Sequence, residues 1–281
     1  MRFGFHISIA GGFAKAIEKA QALECRTIQL FSHNPRGWSY KELKEDEVKV
    51  FKKLLVRSDI TPVFVHMPYL PNLASLNGTL YKKSIHFLCV NLRRAHILGA
   101  SCLVVHPGSR GDRSADEGIE RIARAINDAF ERVENSVMIL LENTAGQGTE
   151  IGSTFNQLKM IINAVTGKKR LGICLDSAHA FAAGYDLSTK KGLEGTLNEF
   201  DRLIGIDRLQ LLHLNDSRTP LGSHTDRHWH IGEGYIELDG FRLIVNHPLL
   251  KNLPGIMETP KKTEGDDRRN MQTIKKLVIG Q

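Results

Sequence analysis

Several apolar segments of the chain end in a residue that can bind a metal ion or accept a proton. These strand-end residues are His66, His106, Glu142, Asp176, His213 and Glu258. Neutral imidazole and carboxylate oxygen are the ligands that a divalent ion of intermediate softness prefers. A single polar residue at the end of an apolar segment usually belongs to a turn or caps a helix. The repetition of the same position in six segments instead favours a metal site.

A polar stretch at 213–228 follows one of these segments and adds further ligands, Asp226 and His228. Taken alone, this stretch is equally compatible with a surface loop whose histidines hydrogen-bond to the backbone. A second short pair, Asp176 and His179, has a carboxylate and an imidazole three residues apart. The two side chains either share one face of a helical turn or are divided between two metal ions.

Loops beside the same segments contain residues suited to contact with nucleic acid. Tyr69 and Leu70 lie in a proline-stiffened loop, where an aromatic and an aliphatic side chain can wedge into a base step. Arg36 and Trp38 follow the second segment, and Arg227 lies between two candidate ligands; arginine suits phosphate contact. Packing of the tyrosine and the tryptophan on the protein core is the alternative for each loop.

The elements that must position these residues alternate along the whole chain. Short apolar runs, typical of buried strands, are separated by amphipathic segments with helical spacing. The predicted strands are 3–7, 27–31, 62–66, 102–106, 137–142, 171–176, 209–213 and 255–258. Helices are predicted near 13–23, 43–55, 80–98, 119–133, 155–165 and 268–278.

Eight strand-like runs separated by helices predict an α/β protein, a single (β/α)8 barrel domain over residues 1–281. Neither a linker nor a low-complexity segment divides the chain. An open doubly wound sheet is the competitor, but the first run is not followed by the glycine-rich turn of that fold. In a parallel barrel the carboxyl ends of all strands meet at one rim, so the strand-end residues are expected to converge.

Composition narrows the class of protein and its partners. The chain has 281 residues, 41% of them hydrophobic, and a net charge of +7, which suits a polyanionic partner without proving one. Of four scattered cysteines, three lie in or beside apolar runs, which favours small buried residues over a disulfide framework and fits a reducing compartment. The sequence has no apolar segment long enough for a membrane span, and we expect a cytoplasmic protein without a membrane partner.

Three segments resemble signatures of the endonuclease IV family of apurinic/apyrimidinic (AP) endonucleases. They are His66-x-Pro68-Tyr69-Leu70-x-Asn72-Leu73-Ala74, Gly172-Ile173-Cys174-Leu175-Asp176-Ser177-Ala178-His179 and the stretch 213–228. The resemblance extends from Gly4 to Pro260. The family normally has lysine in place of Arg218 and often glutamine in place of Gly37. Trp229 and His230 also differ from its commonest residues.

The resemblance implies a TIM barrel that binds three zinc ions, with Mn²⁺ as a possible substitute. His66 and His106 would hold the first ion, and Glu142 would bridge it to the second. The other implied ligands are Asp176, His213 and Glu258 for the second ion, and His179, Asp226 and His228 for the third. The implied DNA contacts are Arg36, Tyr69, Leu70, Arg218 and Arg227.

The expected reaction is hydrolysis of the phosphodiester 5′ to an abasic site in double-stranded DNA, by a protein we expect to be a monomer. The products would be 3′-hydroxyl and 5′-deoxyribose phosphate ends. Glu142 and Glu258 are the expected catalytic residues; Glu142 positions the first two ions, and Glu258 orients the attacking water. A metal-dependent sugar isomerase or epimerase on a related barrel is the alternative. A binding protein with structural metals is disfavoured, because nine ligands for three ions leave open coordination positions.

Overall fold

In the computed structural model, which describes residues 1–263 and 265–279, eight parallel strands close into a barrel. Their bounds in chain order are β1 (Arg2–His6), β2 (Thr27–Phe31), β3 (Val63–His66), β4 (Cys102–Val105), β5 (Met138–Glu142), β6 (Leu171–Asp176), β7 (Leu209–His213) and β10 (Pro254–Met257). Each strand pairs with its neighbours in sequence order, and β10 pairs with β1 to close the ring. The predicted (β/α)8 barrel is confirmed.

Two apolar layers explain why the short strand segments are nearly continuous hydrophobic runs. One face of each strand packs against the surrounding helices in the main core. Alternate residues form a second cluster inside the barrel, namely Phe64, Cys102, Val104, Leu140, Cys174, Leu211 and Ile256. Because both faces are buried, a polar side chain at the end of a strand is directed toward the rim or toward another polar group.

The helices lie outside the barrel and follow the strands. Their bounds are α1 (Phe13–Ala22), α2 (Glu45–Ser58), α3 (Gly78–Leu98), α4 (Ala115–Arg132), α5 (Phe155–Ala164), α6 (Ser177–Ala182), α7 (Lys190–Leu203), α8 (Glu237–Asn246) and α9 (Asp266–Lys276). Side-chain caps define several of their starts. At α4, for example, Ser114 and Glu117 form a reciprocal capping box.

The predicted helix bounds are correct to within a few residues, but three helices, α6, α7 and α8, were not predicted. The six residues of α6 are too few for a periodic pattern, and glycines lower the helix propensity of α7 and α8. The prediction also missed a two-stranded hairpin, β8 (Asp216–Ser217) with β9 (His228–Trp229), which spans most of the stretch 213–228 and ends one residue beyond it.

The rim at the carboxyl ends of the strands is where the candidate residues lie. His66, Glu142, Asp176 and His213 are the last residues of β3, β5, β6 and β7. The strands preceding His106 and Glu258 end one residue earlier than predicted. All four cysteines fall within the described ranges, and each is buried with a free thiol, as predicted. Within the described residues, no helix combines the length and apolar character needed to cross a bilayer.

Candidate metal centre

Three groups of imidazole and carboxylate side chains converge at the rim of the barrel. Within each group the potential ligand atoms lie within 4.8 Å of one another. The groups are His66, His106 and Glu142; Glu142, Asp176, His213 and Glu258; and Asp176, His179 and His228. Because Glu142 and Asp176 each belong to two groups, the three form one continuous centre.

Glu142, at the end of β5, lies between the first two groups. Its Oε2 atom is 3.1 Å from His66 Nε2 and 3.0 Å from His106 Nε2. Its Oε1 atom is 2.9 Å from His213 Nδ1. One carboxylate therefore presents a different oxygen to each group, which is the arrangement that a bridging ligand requires.

Asp176 separates the second group from the third. It is the N-cap of α6, where Oδ1 accepts the backbone N–H of His179 at 2.8 Å. The other oxygen, Oδ2, lies 3.8 Å from His213 Nδ1 and 3.6 Å from His228 Nε2. The carboxylate and the imidazole of this short segment thus serve different groups, because the helix begins between them.

Asp226 lies close to the third group, to which the sequence analysis assigned it. Its Oδ1 atom is 3.2 Å from His179 Nε2 and 3.6 Å from His228 Nε2. The two imidazole nitrogens are themselves 3.2 Å apart. The structure therefore brings all nine predicted ligand residues together.

The orientation of the histidine rings fits metal binding. His66 Nδ1–H donates to the carbonyl of Met67, and His179 Nδ1–H donates to the carbonyl of Asn143, at 2.6 and 3.0 Å. His228 Nδ1 faces the carbonyl of Glu258 at 3.3 Å. In each ring this leaves Nε2 directed into the centre, the orientation that a hydrogen bond on the other ring nitrogen commonly gives to a metal-binding histidine.

Opposite charges dominate the electrostatics of the buried centre. Burial raises the pKa of Glu142, but the neighbouring His213 and His106 lower it more, so that it lies well below its usual value. Burial lowers the pKa of His179, whereas Asp176 and Asp226 raise it well above 6.5. In the absence of metal the imidazole of His179 therefore holds a proton between the two carboxylates. A divalent cation would take the place of that proton.

Two asparagines that the sequence analysis did not identify hold the ligands in place. Asn143 Oδ1 accepts the backbone N–H of Asp176 at 2.7 Å. Asn215 Nδ2 donates to Asp176 Oδ2 at 2.7 Å, and its Oδ1 accepts the backbone N–H of Glu258 at 2.7 Å. Asn143 follows Glu142 by one residue, and Asn215 follows His213 by two. This closeness to a strand-end residue is the signal by which the sequence could have indicated them.

His6 and Gln29 are two further residues of the centre that were missed. His6 Nδ1 and Gln29 Nε2 both lie within hydrogen-bond distance of Glu258 Oε1. His6 is the last residue of β1, but the predicted strand extended to Ile7, so the strand-end criterion did not identify it. Gln29 lies inside an apolar run, where it was counted as part of a strand.

Tyr69 and Leu70 stand at the rim beside the first group, with 60% and 40% of their surface exposed. The Tyr69 ring contacts His106 edge-on at a centroid distance of 5.2 Å and lies 5.5 Å from His66. The tyrosine is therefore anchored on the metal centre while much of its ring faces solvent. This placement is compatible with a wedge.

Arg36 is exposed and lines a cavity of about 640 Å³ that also includes His6, Phe31 and Lys261. Trp38, in the same loop, packs edge-on against Phe87 of α3 with centroids 4.8 Å apart. For this tryptophan the structure favours the packing interpretation.

The β8–β9 hairpin brings two of the sequence departures into contact. The Arg218 guanidinium lies over the Trp229 ring, with Cζ 4.4 Å from the ring centroid. Lys262 Nζ lies 5.2 Å from the same centroid. Arg227 is exposed, and its guanidinium donates to the carbonyl of Asp226. At Gly37 an added Cβ would meet only the Ser39 hydroxyl at 4.0 Å, so a side chain there would have space.

Comparisons with known proteins give one consistent result. Residues 17–277 match the family described as a xylose isomerase-like TIM barrel. The chain is 48% identical over 261 residues to the probable endonuclease 4 of Halothermothrix orenii, covering 93% of this chain and 94% of that protein. The structure of endonuclease IV from Thermus thermophilus matches with a TM-score of 0.88 at 36% identity, over 99% and 98% of the two chains. A D-tagatose 3-epimerase-like protein, at 22% identity and a TM-score of 0.74 over 99% and 97% of the chains, shares the fold alone.

Proposed function

Because the chain belongs to the endonuclease IV family and is an enzyme of that family, we propose that it hydrolyses the phosphodiester 5′ to abasic sites in duplex DNA. The proposed products are 3′-hydroxyl and 5′-deoxyribose phosphate ends. The convergence of nine imidazole and carboxylate side chains in three adjacent groups supports this proposal most strongly. Sites that cleave phosphodiesters commonly hold adjacent metal ions, which stabilise the attacking and leaving oxygens.

The ligand chemistry fits zinc, with manganese as a possible replacement. We assign His66, His106 and Glu142 to the first ion. Glu142, Asp176, His213 and Glu258 are assigned to the second ion, and His179, Asp226 and His228 to the third. When bound, such ions polarise phosphoryl oxygens and lower the pKa of water to about 7.

Glu142 and Glu258 have different roles in the proposed reaction. Glu142 has an oxygen in each of the first two groups and fixes their separation. Glu258 has Oε1 held by His6 and Gln29, while Oε2 faces His213 at 3.5 Å. A carboxylate held in this way can orient the attacking water and accept its proton.

DNA contacts are proposed for the exposed residues around the centre. Tyr69 and Leu70 would enter the space left by the missing base, and extrusion of an abasic nucleotide costs less than extrusion of a paired one. Arg36, Arg218 and Arg227 would contact phosphates and give affinity independent of sequence. We also propose that the protein acts as a cytoplasmic monomer, since one barrel carries the whole centre and its thiols are free.

Cleavage of a defined duplex tests the proposal. Metal-reconstituted protein is incubated with a duplex containing one tetrahydrofuran abasic analogue and with a matched undamaged duplex. We expect a single nick in the first and none in the second. Absence of nicking by protein that elemental analysis shows to be loaded would refute the proposal. Epimerisation of a ketohexose by the same preparation would instead establish the alternative.

A further inference from the structure

Two strands of the barrel, β1 and β2, contribute none of the nine proposed ligands. Each nevertheless directs one polar side chain into the centre, His6 from β1 and Gln29 from β2. Gln29 is fully buried in the middle of the run Thr27–Phe31. A buried amide must have its hydrogen bonds satisfied, so its partners indicate its role.

The amide of Gln29 bridges two residues of the second group. Its Nε2 donates to Glu258 Oε1 at 2.6 Å, and its Oε1 lies 2.9 Å from His213 Nε2. An ionised carboxylate only accepts hydrogen bonds, so the amide nitrogen must face Glu258. The amide oxygen then faces His213, whose Nε2 must carry a hydrogen in order to donate to it.

This orientation determines which atoms are left for a metal. With Nε2–H bound to Gln29, His213 directs Nδ1 toward Glu142 Oε1 at 2.9 Å. Glu258 has Oε1 occupied by Gln29 and His6, which leaves Oε2 on the side of His213 Nδ1, 3.5 Å away. Both free ligand atoms therefore face the same group.

We propose that Gln29 is a positioning residue that fixes the ring orientation of His213 and the free oxygen of Glu258 for metal binding. The inference rests on the proposed function, because it concerns the same centre. Loss of a hydrogen-bond partner behind a metal ligand typically lowers metal affinity by about 10- to 100-fold. We expect a loss of that size for the ion of the second group when the amide is removed.

The test compares Gln29→Met with Thr27→Val. Methionine is close to glutamine in shape but lacks both hydrogen-bonding groups. Thr27 lies two residues earlier on the same face of β2, is equally buried, and donates its hydroxyl to the carbonyl of Pro62 at 2.6 Å, away from the ligands. Zinc content is measured by elemental analysis and zinc affinity by competition with a chelator, on proteins of verified melting temperature.

Gln29→Met is expected to lose one zinc ion or to bind it at least about tenfold more weakly, whereas Thr27→Val keeps the wild-type content and affinity. A role in packing alone would lower the melting temperature of both metal-free variants and leave zinc affinity unchanged. Unchanged affinity in folded Gln29→Met overturns the inference.

A second measurement uses the wild-type protein and does not depend on how the variant folds. The imidazole nitrogens of metal-loaded protein labelled with ¹⁵N-histidine report their protonation by NMR. We expect a hydrogen-bonded, slowly exchanging Nε2–H on His213. A rapidly exchanging or absent Nε2–H overturns the proposal.

The two proposals fail in distinguishable ways. Wild-type protein that binds zinc in a Gln29-dependent manner but leaves abasic duplexes intact would refute the nuclease assignment alone. Wild-type protein that nicks the duplex, paired with a Gln29→Met variant of unchanged zinc affinity, would refute the positioning role alone.

Discussion

Glu258 has its two oxygens in different surroundings, since Oε1 is held by His6 and Gln29 and Oε2 faces the ligands. Burial raises the pKa of this carboxyl, but His213 and His6 lower it well below its usual value. The carboxylate is therefore ionised in the metal-free protein, as a ligand for a cation must be.

Glu258→Gln keeps the shape of the side chain but removes its charge. We expect cleavage of the abasic duplex to fall at least about 10³-fold, because the variant cannot accept a proton. This loss is in the upper part of the range for removal of a general base. Lesion binding, measured by fluorescence anisotropy, should remain within a few-fold of wild type. Glu45→Gln on the exposed surface of α2 is the control and should cleave normally. Wild-type cleavage by Glu258→Gln would show that another group accepts the proton.

The buried charges also predict how pH acts on the protein. The pKa values of His179 and His213 are raised well above 6.5, so the stability they contribute is present below 6.5 and is lost as pH rises through the raised values. The pKa of Asp226 is lowered to about 2, so its contribution is present above 3.8 and is lost only in strong acid. The metal-free protein should therefore become less stable in the alkaline range.

Bound metal should reverse this trend, because it replaces the imidazole protons. We expect the difference in melting temperature between zinc-loaded and metal-free protein to grow between about pH 6 and pH 8.5. Calorimetry of the two forms over that range measures the difference. A difference that stays constant or shrinks would contradict the proton-exchange account.

At the scale of single residues, the sequence analysis named the nine imidazole and carboxylate residues that converge at the rim, but not the polar residues behind them. His66 and Glu258 could be found because each ends an apolar run, and a polar residue at that position has one common destination in a barrel. Gln29 lies in the middle of an apolar run, and hydrophobic periodicity does not show that its side chain points toward the candidate metal centre. Its contacts with Glu258 and His213 depend on the closing of the barrel.

Among the elements, the β8–β9 hairpin positions part of the third group. His228 lies in its second strand, and Asp216 in the first strand accepts four backbone N–H groups. The donors are Ser217, Gly232, Gly234 and Ile236, at 2.8–3.0 Å. A Cβ on Gly234 would lie 2.3 Å from the carbonyl of Ser217, so only glycine fits this turn.

Asp216→Asn removes the charge and one of the two accepting oxygens. We expect the segment after His228 to loosen, and the variant to lose the zinc ion of the third group while keeping the other two. Asp186→Asn is the control, because Asp186 also accepts a backbone N–H, from Ser188 at 2.8 Å, but lies away from the ligands. Elemental analysis of both variants measures the effect. Equal zinc content in the two would contradict a specific role for Asp216.

The same hairpin stacks Arg218 on Trp229, which predicts an effect on DNA binding rather than on chemistry. An exposed cation–π contact contributes about 0.5–1 kcal/mol. Trp229→Leu should therefore raise KM for the abasic duplex by about two- to fivefold with kcat unchanged. Steady-state kinetics at fixed salt measures both constants, with Tyr81→Leu, which removes the cation–π contact with Arg121 between α3 and α4, as the matched control. A change confined to kcat would place Trp229 in the chemistry of the centre.

The β8–β9 hairpin and α6 could not be predicted from the sequence, because they are too short. Two-residue strands and a six-residue helix contain too few positions for a hydrophobic period. They are stabilised by tertiary hydrogen bonds, such as those of Asp216, and not by local propensity. Asp226 and His228 were identified as candidate ligands from their residue types and spacing, and their assignment to a third ion came from the resemblance to a family, whereas the barrel followed from periodicity.

In the whole molecule, barrel closure brings together residues that are far apart in the chain. His66 and Glu258 both lie at one rim because parallel strands share a direction. The net charge of +7 adds a long-range attraction for DNA that would weaken with salt. The barrel supplies a rigid frame, and the exposed loops around the rim supply the residues that would meet the substrate.

Mapping the ends left by cleavage of a tetrahydrofuran-containing duplex tests the account most directly. The analogue lacks the aldehyde that β-elimination requires, so a break can arise only by attack on a phosphodiester. Protein carrying its full complement of zinc is expected to cut once, on the 5′ side of the analogue. The upstream strand should end in a 3′-hydroxyl that a polymerase extends, and the downstream strand should retain the phosphate. A cut on the 3′ side, or an intact duplex in the presence of fully loaded protein, would contradict the account.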